Sequence, residues 1–245
     1  MSVGYGRDVE TLRRRFDRHV PDTPVPEAAA EPVALTFDAT FFGRGYGLLI
    51  YRAEGRNIHW QEIVSERLQD IEAGLLHLQK QRWRFSSVTL DGRRGAIRLV
   101  ERLLPNMPVQ MCLFHQKAII RRYTTGNPKT PCGQAIKTLM ADLKGLDEAR
   151  FLQRLQALRN EYSGFLKERN DRRQFKHRRL RSALRSLKTN APYLFTCKRF
   201  PDLAIPTTTN SCDGSFAHWK NKVKIHRGLR HDRRSKMIAF LLSKT

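Results

Sequence analysis

The chain contains no apolar run approaching the roughly 20 residues that span a bilayer as a helix, and its opening, MSVGYGRDVE, lacks the apolar stretch of a signal peptide. No membrane partner is expected. Cysteine is scarce. Cys112, Cys132, Cys197 and Cys212 form no Cys-x2-Cys pair and no regular spacing. That argues against a disulfide scaffold and a zinc ribbon, and fits a reducing, cytosolic compartment. Acids are half as frequent as bases: 23 Asp+Glu stand against 46 Lys+Arg, for a net charge of +23. So large an imbalance implies a polyanionic partner. With no clear amphipathic membrane anchor pairing a basic face with a Trp/Phe/Leu face, nucleic acid leads over an anionic membrane. What is present is enough for a core: 245 residues, 40% hydrophobic and 9% aromatic, suit one large domain or a domain with an insertion.

The stretch 33–42, VALTFDATFF, reads as a buried strand with one acid, Asp38, at its middle. An ionised carboxylate in a buried strand costs several kcal/mol unless a cation or metal compensates it. The alternative is an acid at a strand end, near solvent. Before this stretch, residues 8–20 place Val9, Leu12, Phe16 and Val20 on one face of a short basic helix. It is read as a remnant of a helix-turn-helix region spanning 1–20. A Pro/Ala/acid linker over 21–32 follows.

After Asp38, residues 46–51 (YGLLIY) and 56–61 continue an antiparallel meander, and 65–80 form a helix with Val64, Leu68, Ile71, Leu75 and Leu78 inward. A fourth strand over 86–90 ends at Asp91-Gly92. A helix over 93–104, a fifth strand over 109–114 and a helix through Tyr123 complete the set. This order predicts an α/β, mixed five-stranded sheet flanked by helices. Asp38 then lies on the central strand and Asp91 at the end of its neighbour, so the two carboxylates converge.

Residues 126–205 change character. They read as an all-helical, basic insertion with an apolar seam of Leu152, Leu155, Leu158 and Tyr162. Arg172, Arg173, Lys176, Arg178, Arg179, Arg181 and Arg185 give it a basic face of nearly one sign, expected to lie on nucleic acid. Near Ser211 a further helix begins, capped by Thr209 or Asn210. It carries Asp213 in its first turn and Lys220, Lys224 and Arg227 further along, with Phe216, Trp219 and Val223 toward the core.

Three acids on rigid elements, Asp38, Asp91 and Asp213, suit hard oxygen-seeking cations. Mg²⁺ (or Mn²⁺) is held by few carboxylates and completes its shell with water and substrate phosphate. A pair of such ions serves in-line displacement at a phosphodiester. Taken singly, each acid has a plainer reading: a strand end, an Asp-Gly turn, a helix-capping residue.

At FDATFF, TLDGRRG, CLFHQ and TTNSCDGSFAHWKNKVKIHRGL the sequence resembles the bacterial insertion-sequence transposases of the Mutator-like group, DDE/D enzymes on a ribonuclease H-like fold. The resemblance runs from about residue 33 to 240 and is most specific in the TTN…HRGL block. It implies a catalytic domain made of 33–125 and 206–245. It also implies Asp38 and Asp91 as the first two catalytic acids, a helical insertion before the last catalytic helix, and DNA, both transposon ends and target, as partner of a homo-oligomer in the cytoplasm or nucleoid. The group's third acid is commonly Glu, and the matching position here is Asp213, one methylene shorter. Glu161 and Glu168 are the fallback candidates. Cys112-x2-His115 matches a signature of related transposases, but zinc needs two more ligands. Cys112 is therefore read as a buried strand residue and His115 as a polar group near the active end. Members carry a complete recognition region before the catalytic domain. Only the helix of 8–20 stands in its place, so the chain reads as a shortened copy or half of a split element. Two further readings stay open: a ribonuclease H-like nuclease or resolvase that cuts without joining, and a non-catalytic DNA-binding remnant.

Overall fold

The computed structural model describes residues 8–20, 26–226 and 228–243, without the side chains of 211–215. Five strands, β1 (Val33–Gly43), β2 (Tyr46–Ala53), β3 (Arg56–Ile63), β4 (Phe85–Leu90) and β5 (Val109–Met111), form one mixed sheet in the order β3-β2-β1-β4-β5. The first three are an antiparallel meander; β4 runs parallel to β1 and β5 parallel to β4. Period-two alternation explains how β2 is buried along its whole length. Leu49, Tyr51 and Ala53 enter one core, while Tyr46, Leu48 and Ile50 enter another on the opposite face.

The first core is closed by α2 (Leu68–Lys80) and α3 (Arg94–Leu103), through Ile71, Leu75, Ile97 and Val100. A third core belongs to the helical region. It gathers α4 (Leu113–Thr124), α5 (Pro131–Ala141), α6 (Glu148–Glu161), α7 (Ser163–Lys167) and α8 (Arg178–Leu194), followed by the short α9 (Thr196–Arg199). The face of the sheet that carries Tyr46, Leu48 and Ile50 is covered by α10 (Asn210–Ile225) and α11 (His231–Leu242), which contribute Phe216, Trp219, Val223, Ile238 and Leu242. Tyr193 on α8 packs against both the first core and the helical one.

Several boundaries differ from those expected. The helix predicted over 65–80 starts at Leu68, and Val64 is 66% exposed in the turn before it. The fifth strand stops at Met111, because its pairing ends where β4 ends, at Leu90↔Met111. The chain then turns directly into α4, and Phe114 is 54% exposed. In the helical region Phe151, not Leu152, joins Leu155 and Leu158 in the core. The basic run is not one helix. Residues 168–177 form a turn with a single bridge, Arg169↔Phe175, and α8 begins at Arg178. Phe175 fixes that turn, lying under the guanidinium groups of Arg169 at 4.0 Å and Arg181 at 3.6 Å.

The helix predicted over 8–20 is present as α1 (Val9–Arg18). It does not stand alone: Asp17 pairs with Arg233 of α11 at 2.6 Å, and His19 meets the Phe240 ring edge-on. Residues 21–25 of the expected linker lie outside the described residues. The remainder leans on the sheet, with Ala28 and Ala29 packed against the first core.

One close approach holds α2 against β2. Tyr51 is fully buried and its hydroxyl donates to the Ile71 carbonyl at 3.1 Å. A Cβ at Gly74 would lie 2.3 Å from that hydroxyl oxygen. Gly74→Ala is therefore expected to destabilise the fold by about 1–3 kcal/mol through overpacking, despite the better helix propensity of alanine. Urea unfolding of the variant measures this; equal or greater stability would show that the ring can move aside.

Candidate active site

The directions of the strands decide which side chains meet. β1, β3, β4 and β5 all run the same way, so the segments that follow β3, β4 and β5 leave the sheet at one edge. Sites in open α/β sheets form outside the carboxyl ends of strands. In the parallel β1–β4 pair the last registered partners are Thr36 and Thr89. Asp38 and Asp91 each lie two residues further on, hence on the same face of neighbouring chains. Three more residues follow strand ends here: Glu66 after β3, and Cys112 and His115 after β5.

The start of α10 is fastened to this edge by residues 206–209. The Thr89 hydroxyl donates to the Pro206 carbonyl at 2.7 Å, and the Leu113 amide to the Thr207 carbonyl at 2.9 Å. The Thr209 amide donates to Cys112 Sγ at 3.3 Å. The Thr209 hydroxyl, expected as a helix cap, donates instead to Asp38 Oδ2 at 2.9 Å. Asp38 Oδ1 accepts from the Ala39 amide at 2.8 Å. The carboxylate is thus held at both oxygens, with its side chain 11% exposed. Asp213 belongs to α10, four residues beyond Thr209, and its side chain lies outside the described residues.

His115 Nε2 stands 3.9 Å from Asp38 Oδ2. Its pKa is pushed up to about 9 by the hydrogen bond with the Cys112 thiol, against the opposing effect of burial, with help from the charges of Asp38, Cys112 and Asp91. Burial pushes the Cys112 thiol up, yet hydrogen bonds from His115 and Thr209 outweigh it and bring the thiol below its ordinary value. Cys112 is therefore not a strand residue. It occupies the N-cap position of α4 and faces His115 and Thr209.

Glu66 is the acid that sequence reasoning missed. Burial, and then the charge of Asp91, raise its pKa; Arg93 and His115 oppose them. Arg93 bridges the two acids, with Nη1 3.3 Å from Glu66 Oε1 and its amide donating to Asp91 Oδ1 at 3.2 Å. The available signal was topological: only the strand directions bring the turn after β3 beside Asp91. The fallback acids go elsewhere. Glu168 pairs with Lys176 and His177, and Glu161 acts on Cys132 and Tyr162 in the helical region.

Among the described residues no group of three or more His, Cys, Asp or Glu is placed to hold a metal ion, a statement that leaves out the Asp213 side chain. The donors at hand, Asp38 and Asp91, are hard carboxylate oxygens. Burial, and then the charge of Asp91, raise the pKa of Glu66 beside them.

Of the expected DNA contacts, Arg172, Arg173, Lys176, Arg178, Arg179 and Arg185 are exposed. Arg181 is half-buried, stacked on Phe175 and donating to the Leu166 carbonyl at 2.9 Å. Arg179 also donates to a backbone carbonyl, that of Arg122. Lys220 and Lys224 are exposed on α10, and Arg227 lies outside the described residues. No helix among the described residues is long and apolar enough to cross a membrane. The sequence matches no protein-family model and no curated protein.

Two outcomes follow from this geometry. Thr209 is fully buried, and Thr209→Val removes the donor to a charged acceptor with little change of shape. A loss of about 1.5–3 kcal/mol is expected, read by urea unfolding; a loss below the error of the measurement would show that water replaces the hydroxyl. The second outcome concerns His115. Its folded pKa, about 9, exceeds the unfolded value of about 6.5. The stability it contributes is complete below the unfolded value and is lost as pH rises through the folded one. The gap in unfolding free energy between the parent and His115→Asn, in chelator, should therefore be widest near pH 6 and shrink toward pH 10. A gap independent of pH would remove the charged imidazole from the account.

Proposed function

We propose that the chain is a DDE/D-type polynucleotidyl transferase, a DNA transposase resembling the Mutator-like insertion-sequence group, built on a ribonuclease H-like fold. The observation that carries the reading is the placement of Asp38 within β1 and Asp91 just past the end of its parallel neighbour β4, each two residues beyond the last registered pair, with the start of α10 tied to Asp38 through Thr209. The mixed five-stranded sheet flanked by helices is consistent with that fold.

In this reading Asp38, Asp91 and Asp213 hold Mg²⁺ or Mn²⁺. When bound, the cation supplies charge stabilisation at the phosphodiester and lowers the cost of forming an oxygen nucleophile. The protein's own part is positioning. The Thr209 hydroxyl and the Ala39 amide fix the two oxygens of Asp38. Arg93 keeps Glu66 and Asp91 apart in charge. His115, its pKa raised to about 9, would set a proton and a positive charge beside Asp38, where the reacting phosphate would bind. Exposed Arg172, Arg173, Lys176, Arg178, Arg179, Arg185, Lys220 and Lys224, with Arg227, contact the phosphate backbone of transposon ends and target; Arg181 supports them from beneath. A homo-oligomer on DNA, in the cytoplasm or nucleoid, completes the reading.

Asp38→Asn is expected to abolish Mg²⁺-dependent nicking while leaving DNA binding equal or tighter, since one negative charge near the phosphates is removed. Nicking and strand transfer from a precut end measure it. Cleavage unchanged in this variant would exclude the catalytic role of Asp38, and cleavage without joining would assign the chain to the nucleases.

A further inference from the structure

Facing rows of cations line a groove of about 380 Å³ between α6, α7 and α8. Arg159 and Lys167 form one side; Arg181, Arg185 and Lys188, spaced four and three residues apart on α8, form the other. The described residues that line it include no carboxylate. The nearby Glu168 is held by Lys176 and His177 instead. Five like charges in one concavity repel each other, and a cleft lined by one sign of charge focuses its field on an incoming anion. Arg181 is locked by Phe175 and the Leu166 carbonyl, so it forms a fixed wall. Arg185, Lys188 and Lys167 are exposed and able to follow a ligand.

The wall formed by α8 is bonded to the acid centre twice. Arg94, three residues past Asp91, donates to the Thr189 carbonyl at 3.0 Å. Gln116, next to His115, donates to the Ser186 hydroxyl at 3.3 Å and accepts from Asn190 at 2.8 Å. α8 thus ties the groove to the segments that carry Asp91 and His115.

We propose that this groove holds the phosphodiester backbone of DNA engaged at Asp38 and Asp91. The proposal rests on the nucleic-acid reading above. It adds Arg159, Lys167 and Lys188, which the run of arginines before α8 does not include, and it makes the groove, more than the exposed turn of 168–177, the seat of backbone binding.

The test is binding of a fluorescent duplex, in chelator, from about 50 to about 200 mM KCl. The parent is compared with the double variant Arg159→Gln/Lys188→Gln, with the charge-retaining Arg159→Lys/Lys188→Arg, and with Arg172→Gln/Arg173→Gln in the exposed turn. Circular dichroism confirms that each is folded. The groove variant should bind about tenfold more weakly at low salt, with its log–log salt slope flattened by about 1.8, or about 0.9 for each phosphate no longer neutralised. The charge-retaining pair should bind like the parent. An unchanged slope in the groove variant, or a larger loss from the exposed-turn pair, overturns the proposal. So does displacement of the duplex by inorganic phosphate when KCl of equal ionic strength leaves it bound, which would make the groove a small-anion pocket. Because chelator is present throughout, binding does not depend on catalysis. A parent that binds through the groove yet nicks nothing with Mg²⁺ supports the groove and removes the catalytic reading alone.

Discussion

The hydrogen bond from Thr209 to Asp38 joins residues 171 positions apart, and the arrangement at the sheet edge depends on it. A carboxylate with 11% of its side chain exposed needs donors in place of the water it has lost. Thr209 supplies one donor, and its amide meanwhile contacts Cys112, which shapes the environment of His115. The bond is held by neighbours on both sides of it. Pro206 and Thr207 accept from Thr89 and Leu113, so the segment that leads into α10 has little freedom to swing away.

Around this edge the sign of charge reverses. The chain as a whole carries +23, yet Asp38 within β1 and Asp91 and Glu66 just past β4 and β3 gather at one sheet edge, with Arg93 and His115 beside them. A basic surface draws in a polyanion, and a local group of acids resists its phosphates unless a cation intervenes. In the proposed reading a divalent ion would reconcile the two tendencies.

Much of this is readable from residue order. Alternating and helical periodicities mark the five strands and most helices, and the order of elements places Asp38 beside Asp91. The failures have physical causes. The end of β5 is set by where its partner β4 stops pairing, which no periodicity in VQMCLF records. Thr209 reads as a cap because threonine before a helix usually is one; its hydroxyl turns to a stronger acceptor, an ionised carboxylate from the far end of the chain. Glu66 carries no local signal, since its proximity to Asp91 arises from strand direction alone. The arginine run is legible as charge but not as structure. An aromatic contact at Phe175 holds the turn, with Arg169 and Arg181 over its ring.

The second face of the sheet has a consequence for biosynthesis. Tyr46, Leu48 and Ile50 are covered by α10 and α11, whose contributing residues begin at Phe216 and end at Leu242. A ribosome has made the whole meander long before those helices emerge. Until synthesis passes Leu242 the nascent chain presents a naked apolar sheet face, the kind of surface that invites aggregation or chaperone capture. The same delay keeps Thr209 from Asp38. A partly made chain thus carries a basic helical region before the carboxylate of Asp38 has its Thr209 donor.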